Sequence, residues 1–330
     1  MLTKEQKKIR RSGLGGSDAA AAVGLSPWTT PLQLYLDKTE GQDQDENTDM
    51  YRGRLLEPVV RQMYCDETGR TVIVPDQTIR HPKHEFLLAS LDGKTPDETI
   101  IFEGKTARDK RGWGDPGTAD VPVVYLCQAQ HYMMVAGIPR VDMAVLFGAN
   151  FEFAIYPIEA DAEFQDLLLE GERRFWECVL KRQPPDPTTS EDLRRRWPIA
   201  RPATNLAKAP EIDAARVLVA VKKRIKELET MEVMATDAIK RAIADAEALE
   251  FDGEQLATWK NIKANPRFDA KRFQAENPDL YAQYLTEPPP QRRFYLKGNH
   301  PCLAALTETE TITLPAPSLS SGPTALPAPA

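Results

Sequence analysis

Cysteine, long apolar runs and positive charge are all in short supply in this 330-residue chain. The four cysteines, Cys65, Cys127, Cys178 and Cys302, stand far apart. They have neither the C-x-x-C spacing of a zinc site nor the clustering of an iron–sulfur ligand set, and they read as reduced and structural. No run approaches the roughly 18 apolar residues that span a bilayer. The opening MLTKEQKKIRR carries no apolar stretch of signal-peptide type, so the expected location is the cytoplasm, with no membrane association. With 42 Lys and Arg against 49 Asp and Glu, the net charge is −7. That argues against a protein that coats nucleic acid by bulk electrostatics. It leaves room for a DNA enzyme, which needs its own acidic cluster for metal and only a local basic patch for phosphate.

What is present suits a globular protein: 42% apolar and 28% charged residues, enough for one sizeable core with accessory structure. The first half alternates helices and strands. Ser17 is placed to cap a short helix ended by Gly24, and Thr30 with Pro31 opens another that stops at Gly41. Apolar spacing at Leu55, Leu56, Val59, Val60 and Met63 predicts a helix over 49–68, stopped by Gly69. Strands are expected over 71–74, 86–90 and 99–105, a helix from Pro122 to Gly137, strands over 141–147 and 151–158, and a helix over 162–181. Residues 184–210, rich in Pro, Thr, Arg and Asp, read as a linker between a first domain (1–183) and a helical accessory domain (211–306). In the latter, Leu218, Val221, Ile225, Leu228, Ala235, Ile239, Ala242, Ala246 and Leu249 follow a heptad rhythm broken at Glu232. A helical segment over 259–284 and a short strand over 293–297 follow, and a Thr-, Pro- and Ala-rich tail (307–330) reads as disordered.

The most informative stretch is SLDG followed by FEGK. Side chains alternate along a strand, so Glu103 and Lys105 share one face while Phe102 and Gly104 take the other, and Asp92 lies near the end of the preceding strand. Two acids and a lysine would then converge on one point. Carboxylate oxygens suit Mg²⁺, and a lysine beside an activated water helps position or deprotonate it for attack on phosphorus. Taken alone, E-x-K on a half-exposed strand is more often a solvated face. Gly13 to Ser17, ending at a helix start with Arg10 nearby, offers backbone N–H groups and a hydroxyl for an anion, although the charge of Asp18 would oppose a phosphate unless it points away. Ser17 as a simple cap is the plainer reading. Trp113, in a basic glycine-rich loop over 108–117, is a DNA contact or a packing lid.

Several motifs in one order carry more than any one of them. RRSGLGGSDAAAAVGLSPW (10–28), GRLLEP (53–58), SLDG (90–93), EGK (103–105) and YLCQAQHYM (125–133) resemble the PD-(D/E)XK nuclease superfamily, and within it the YqaJ-type viral recombinase or lambda exonuclease-like family. The resemblance covers residues 1–180. It implies an α/β fold, a PD-(D/E)XK nuclease core with a central mixed sheet flanked by helices, followed by a mainly helical C-terminal region. It also implies a Mg²⁺-dependent deoxyribonuclease, with Mn²⁺ as substitute, that digests duplex DNA from 5′ ends and leaves 3′ single-stranded overhangs for phage-type recombination with an annealing partner protein. Asp92, Glu103 and the Gly104 carbonyl would hold the metal, with Glu57 approaching from the preceding helix. Lys105 and Gln128, with Tyr125 one turn before it, would handle the water, and Arg10 and Ser17, with Trp113, would contact the 5′ phosphate and DNA. Ring-shaped trimers occur in the family, and a phage or prophage origin would place the protein in a bacterial host. Two alternatives stay open: a related endonuclease or a nuclease of other polarity, and a catalytically idle DNA-binding scaffold.

Overall fold

A computed structural model describes residues 9–41, 48–263, 266–288 and 290–303; the tail expected to be disordered lies outside them. The chain forms two compact units that part between Trp197 and Pro198.

The first unit begins with β1 (Leu14–Gly15), α1 (Gly16–Ala22), α2 (Pro31–Glu40) and α3 (Thr48–Thr68). Helix α2 starts and ends as its residues dictate: Thr30 and Gln33 bond reciprocally to each other's backbone N–H groups, and Gly41 takes the left-handed conformation after the last turn. Helix α1 is capped differently from expectation. Its N-cap is Gly15, whose N–H donates to Asp18 Oδ2 at 3.0 Å, so Asp18 does the capping and the Ser17 hydroxyl is left for another partner. Short strands β2 (Ile79–Arg80), β3 (Leu87–Ala89) and β4 (Gly93–Lys94) follow, then β5 (Ile101–Ala107), α4 (Val123–Ala136), β6 (Arg140–Phe147), β7 (Glu152–Glu159), α5 (Ala162–Leu180) and α6 (Ser190–Arg196). The strand expected over 71–74 is reduced to a bridge between Ile73 and Lys94.

Strands β4-β5-β6-β7 make the mixed sheet, parallel between β5 and β6 and antiparallel at both flanks, while β1-β3-β2 form a smaller sheet. A parallel pair needs a long crossover, which α4 supplies. Alternation sorts the sheet into two cores. Phe102, Ala144 and Leu146 pack with Val60 and Tyr64 of α3, whereas Ile101, Val141, Met143 and Val145 pack with Ala129, Met133 and the rest of the larger core. The first unit reaches past the expected linker start at 184, because Thr30 Oγ1 donates to the buried Asp192 of α6 at 2.8 Å and ties that helix down.

His131 and Glu172 are both fully buried where α4 meets α5, with Nδ1 and Oε1 2.7 Å apart. Because His131 Nε2 lies 2.9 Å from the Leu88 carbonyl, an acceptor only, that nitrogen carries hydrogen. Burial pulls the histidine's pKa down, but the charge and hydrogen bond of Glu172 outweigh it and leave it raised. His131→Ala removes the sole partner of a buried carboxylate whose other oxygen is already unpaired. It should destabilise the first unit by about 3–5 kcal/mol, read in urea unfolding; a loss below about 1 kcal/mol would show the pair to be incidental.

The second unit is built on α7 (Ala209–Ile243), with a hairpin of β8 (Ala248–Phe251) and β9 (Glu254–Thr258), then α8 (Ala270–Glu276), α9 (Pro278–Gln283) and a 3₁₀ turn at Pro301–Leu303. The heptad rhythm overran the helix. Ala246 and Leu249 fall beyond its end, where Ala244 has φ 51° and the chain turns into the hairpin. Asp252 and Gly253, both at positive φ, make the tight turn, an Asp-Gly pair of the kind that signals a hairpin. The strand expected over 293–297 does not form; those residues have no regular structure.

Candidate active site

Antiparallel pairing of β4 with β5 stops at Gly93 and Phe102, so the next outward N–H on that edge of β5, at Gly104, has no strand partner. Asp92 supplies one: its Oδ2 accepts from Gly104 N at 3.0 Å, which aims the carboxyl group along the edge of β5. Glu103 and Lys105 point to the opposite face from Phe102 and Gly104, toward α4, as alternation requires.

A closed network forms there. Lys105 Nζ donates to Glu103 Oε1 at 2.7 Å and to Gln128 Oε1 at 2.9 Å, while Gln128 Nε2 donates to the same Glu103 oxygen at 2.7 Å and to the Tyr132 hydroxyl at 3.2 Å. The partners set the amide orientation, since an ammonium has only donors. Glu103 is buried, and its Oε2 has no hydrogen-bond partner among the described residues.

Burial first, then the charge of Asp92, pushes the Glu103 carboxyl up to about 8 in spite of Lys105. Asp92 is raised by burial, against the opposing pull of Lys105, and Glu57 is raised by burial and then by Asp92. Lys105 is depressed by burial, but Glu103 and Asp92 outweigh that and raise it, so it is an ammonium at neutral pH. Three carboxyl groups, Glu57, Asp92 and Glu103, share the two cations Lys105 and Arg61, which leaves an excess of negative charge when all are ionised. A proton on Glu103 Oε2, or a cation beside it, relieves the crowding.

Glu57 lies at the margin of this network, its Oε1 3.6 Å from Arg61 Nη1. Helix α3 runs on through Pro58, and Arg61 also donates to the Asp92 carbonyl at 3.3 Å, joining helix to site. Tyr125 presents its ring rather than its hydroxyl, 5.2 Å from Lys105 Nζ. Trp113 is half-buried, stacked on Tyr125 at 5.3 Å and packed on Tyr156 at 5.1 Å. These ring contacts within the fold suit the packing-lid reading of Trp113. The exposed ring beside the site is instead Trp28, at 64% exposure and 6.1 Å from Tyr125, in a turn held by Ser26 Oγ.

Arg10 and Ser17 are brought together, with Nη2 3.4 Å from Oγ. The objection from Asp18 is met: its Oδ2 also receives Lys38 Nζ at 2.6 Å in a buried pair, so its charge is matched and turned inward. Although burial raises the Asp18 carboxyl, Lys38 more than compensates and holds it below its usual value. Gly16 joins this segment to the network, because a Cβ there would stand 2.4 Å from the Tyr132 ring. Sequence reasoning missed Tyr132, whose signal was its place one turn after Gln128, Trp28, which ends the 10–28 motif, and Arg61, which no local pattern marks. Gln130 and His131, left out of the site, are structural: Gln130 bonds Glu159, Asp161 and Gln165, and His131 bonds Glu172.

Among the described residues no three His, Cys, Asp or Glu side chains gather at metal-ligand spacing. The donor set that does converge is two acidic side chains beside a strand edge. Hard oxygens of this kind, one of them buried without a partner at Glu103, fit a cation such as Mg²⁺ that retains several waters.

Residues 5–139 match the model of the YqaJ-like viral recombinase domain. Over 295 residues the chain is 34% identical to the uncharacterized protein YqaJ of Bacillus subtilis (strain 168), covering 84% of this chain and 89% of that one. Among solved structures it is similar to an alkaline exonuclease (LHK-Exo) from Laribacter hongkongensis, with 22% identity, a TM-score of 0.46, and coverage of 59% of this chain and 97% of that one. It is also similar to a phage related exonuclease from Haemophilus somnus 129PT, with 12% identity, a TM-score of 0.41, and coverage of 53% and 98%. The identity and coverage shared with the Bacillus protein, together with the matched domain, mean that this chain belongs to the YqaJ-like viral recombinase family.

Proposed function

We propose that this protein is a divalent-metal-dependent DNA exonuclease that degrades one strand of duplex DNA from its 5′ end. The observation that carries the reading is the Asp92–Glu103–Lys105–Gln128 network with its unmatched Glu103 oxygen. Asp92, Glu103 and the Gly104 carbonyl would hold Mg²⁺ or Mn²⁺. In a strand the N–H and C=O of one residue leave on the same edge, so the Gly104 carbonyl shares the edge on which its N–H meets Asp92. A cation there supplies Lewis-acid stabilisation of the charge that develops on the phosphate and leaving oxygen.

Lys105 and Gln128 act on the attacking water. With two of its three N–H groups engaged by Glu103 and Gln128, Lys105 has one left to donate to the attacking water, and its positive charge stands beside the charge that develops there. Gln128 holds both Lys105 and Glu103 in place, and Tyr132 holds Gln128. Tyr125 lines the site below the ammonium, and Trp28 stands exposed where a nucleobase can stack. The resulting 3′ overhang would pass to a single-strand annealing protein, and a ring-shaped trimer would give processivity. Timed digestion of duplexes labelled at either end, with Mg²⁺ or EDTA, tests the reading. Loss of the 5′ label first, only with metal, is expected; internal cleavage, or digestion in EDTA, would overturn it.

Arg10 and Ser17 would hold the terminal 5′ phosphate. Arg10→Ala and Ser17→Ala should each reduce the preference for 5′-phosphorylated over 5′-hydroxyl ends by about tenfold, the worth of one charge-assisted hydrogen bond at ~1.5 kcal/mol. Equal rates on the two ends in the unmodified protein would remove the phosphate role from both residues.

A further inference from the structure

The last stretch of the second unit runs against the charge of the whole chain. Residues 259–303 hold eight Lys and Arg against four Asp and Glu, a net of +4 in a chain whose total is −7. Large rings stand out of the same stretch: Trp259 is 52% exposed, Phe268 73%, Phe294 74% and Tyr295 85%. A cation is next to each cluster in sequence, as Trp259-Lys260, Arg267-Phe268 and Arg293-Phe294-Tyr295. Phe268 lies 5.0 Å from the Phe273 ring and Trp259 meets Lys240, yet all four rings keep more than half of their surface in water, which is costly unless a ligand covers it.

The stretch is pinned at both ends of one long helix. At one end Trp259 N donates to the Glu247 carbonyl, and its ring lies 5.8 Å from Lys240 Nζ; at the other, Arg216 Nε donates to the Cys302 carbonyl at 2.9 Å. Arg216 and Lys240 are 24 positions apart on α7, roughly 36 Å at 1.5 Å per residue. Rings and cations that recur together along the chain suit a linear polyanion with accessible ring faces. Single-stranded DNA has both, whereas a duplex keeps its bases stacked inside. Four of the eight cations are lysines, a residue depleted in protein–protein interfaces.

We propose that residues 259–303 bind single-stranded DNA, with Trp259, Phe268, Phe294 and Tyr295 as stacking platforms for bases and the intervening Lys and Arg side chains as phosphate contacts. The site is separate from the Asp92–Lys105 network, and being linked to it in one chain it would hold the strand that digestion leaves behind. The choice of DNA rests on the nuclease reading; the binding measurement does not, because it is made in EDTA.

Fluorescence anisotropy of a labelled oligothymidylate, titrated with the full chain in EDTA across a salt series, tests this. A Phe294→Ala/Tyr295→Ala double variant should bind roughly thirtyfold more weakly with an unchanged salt slope. An Arg293→Ala/Lys297→Ala double variant should lower the slope of log affinity against log salt by about 1.4. Phe294→Tyr, which keeps the ring, should bind as the unmodified chain does. Unaltered affinity in both double variants would overturn the proposal and leave the strip to a protein partner, while the 5′-end digestion assay would still report on the nuclease reading.

Discussion

Asp92→Ala and Glu103→Ala should each leave a folded protein that digests DNA about three or more orders of magnitude more slowly, at 1.36 kcal/mol of transition-state stabilisation per tenfold. The size of the loss follows from what the two groups do: they are the acidic side chains at the edge of β5, and removing either takes away oxygens that a cation needs. Duplex binding in the absence of cleavage should hardly change, since neither side chain is a phosphate ligand. Digestion at the unmodified rate by either variant would sink the site assignment.

The same carboxyl groups should make stability depend on pH and metal together. The folded-state pKa of Glu103, about 8, is above its ordinary 4.5, so its contribution to stability is fully present below 4.5 and is lost as pH rises toward 8. In EDTA the melting temperature should therefore fall between about pH 5.5 and 8, where Glu103 is ionised in the unfolded chain but still holds its proton in the folded one. Asp92 is shifted in the same direction and adds to the fall. A divalent cation takes the place of the proton, so Mg²⁺ should raise the melting temperature more at the upper end of that interval than at the lower. Glu103→Gln keeps the acceptor for Lys105 and Gln128 and should flatten the pH dependence. Equal stabilisation by Mg²⁺ at both ends would mean that the cation does not bind at this carboxyl group.

Lys105→Ala and Lys105→Gln should each cost about two to four orders of magnitude in turnover. Lys105 is the one cation bonded to both Glu103 and Gln128, and its ammonium is held by carboxylate neighbours. Glutamine at this position reaches the same neighbours but brings no charge to the water or to the developing oxyanion. The raised pKa of Lys105 means its own contribution to stability persists up to and beyond 10.5, above any assay range, so the loss should appear in turnover at every working pH and not as a shifted pH optimum. Retention of substantial activity by Lys105→Gln would transfer the water-handling role to Gln128 alone.

Local residue chemistry was enough to read much of the first unit. Thr30, Pro31 and Gly41 bound α2 as capping rules require, Gly137 ends α4, and apolar spacing located α3, α4 and α5. The two-residue period of a strand placed Glu103 and Lys105 on one face, because that period depends only on backbone geometry. In the second unit the same kind of reading failed. An apolar rhythm continues across Ala244, and only the positive φ values at Ala244, Asp252 and Gly253 turn the chain into a hairpin. Trp113 and Trp28 are equally plausible as loop tryptophans; packing against Tyr125 and Tyr156 buries the first and leaves the second exposed.

By itself, then, the order of residues marked out the candidate side chains: Asp92, Glu103, Lys105 and Gln128 are legible because strand alternation, helix spacing and motif order are local properties of the chain. Only the tertiary structure decided how they act together. The bond from Gly104 N to Asp92, the capture of Gln128 by Tyr132, the inward pairing of Asp18 with Lys38 and the unmatched oxygen of Glu103 all join residues from different elements. Burial is likewise a property of the packed whole, and burial is the first cause of the raised Glu103 carboxyl. Charges that would be ordinary in water become a cation-seeking site because the fold removes the water around them.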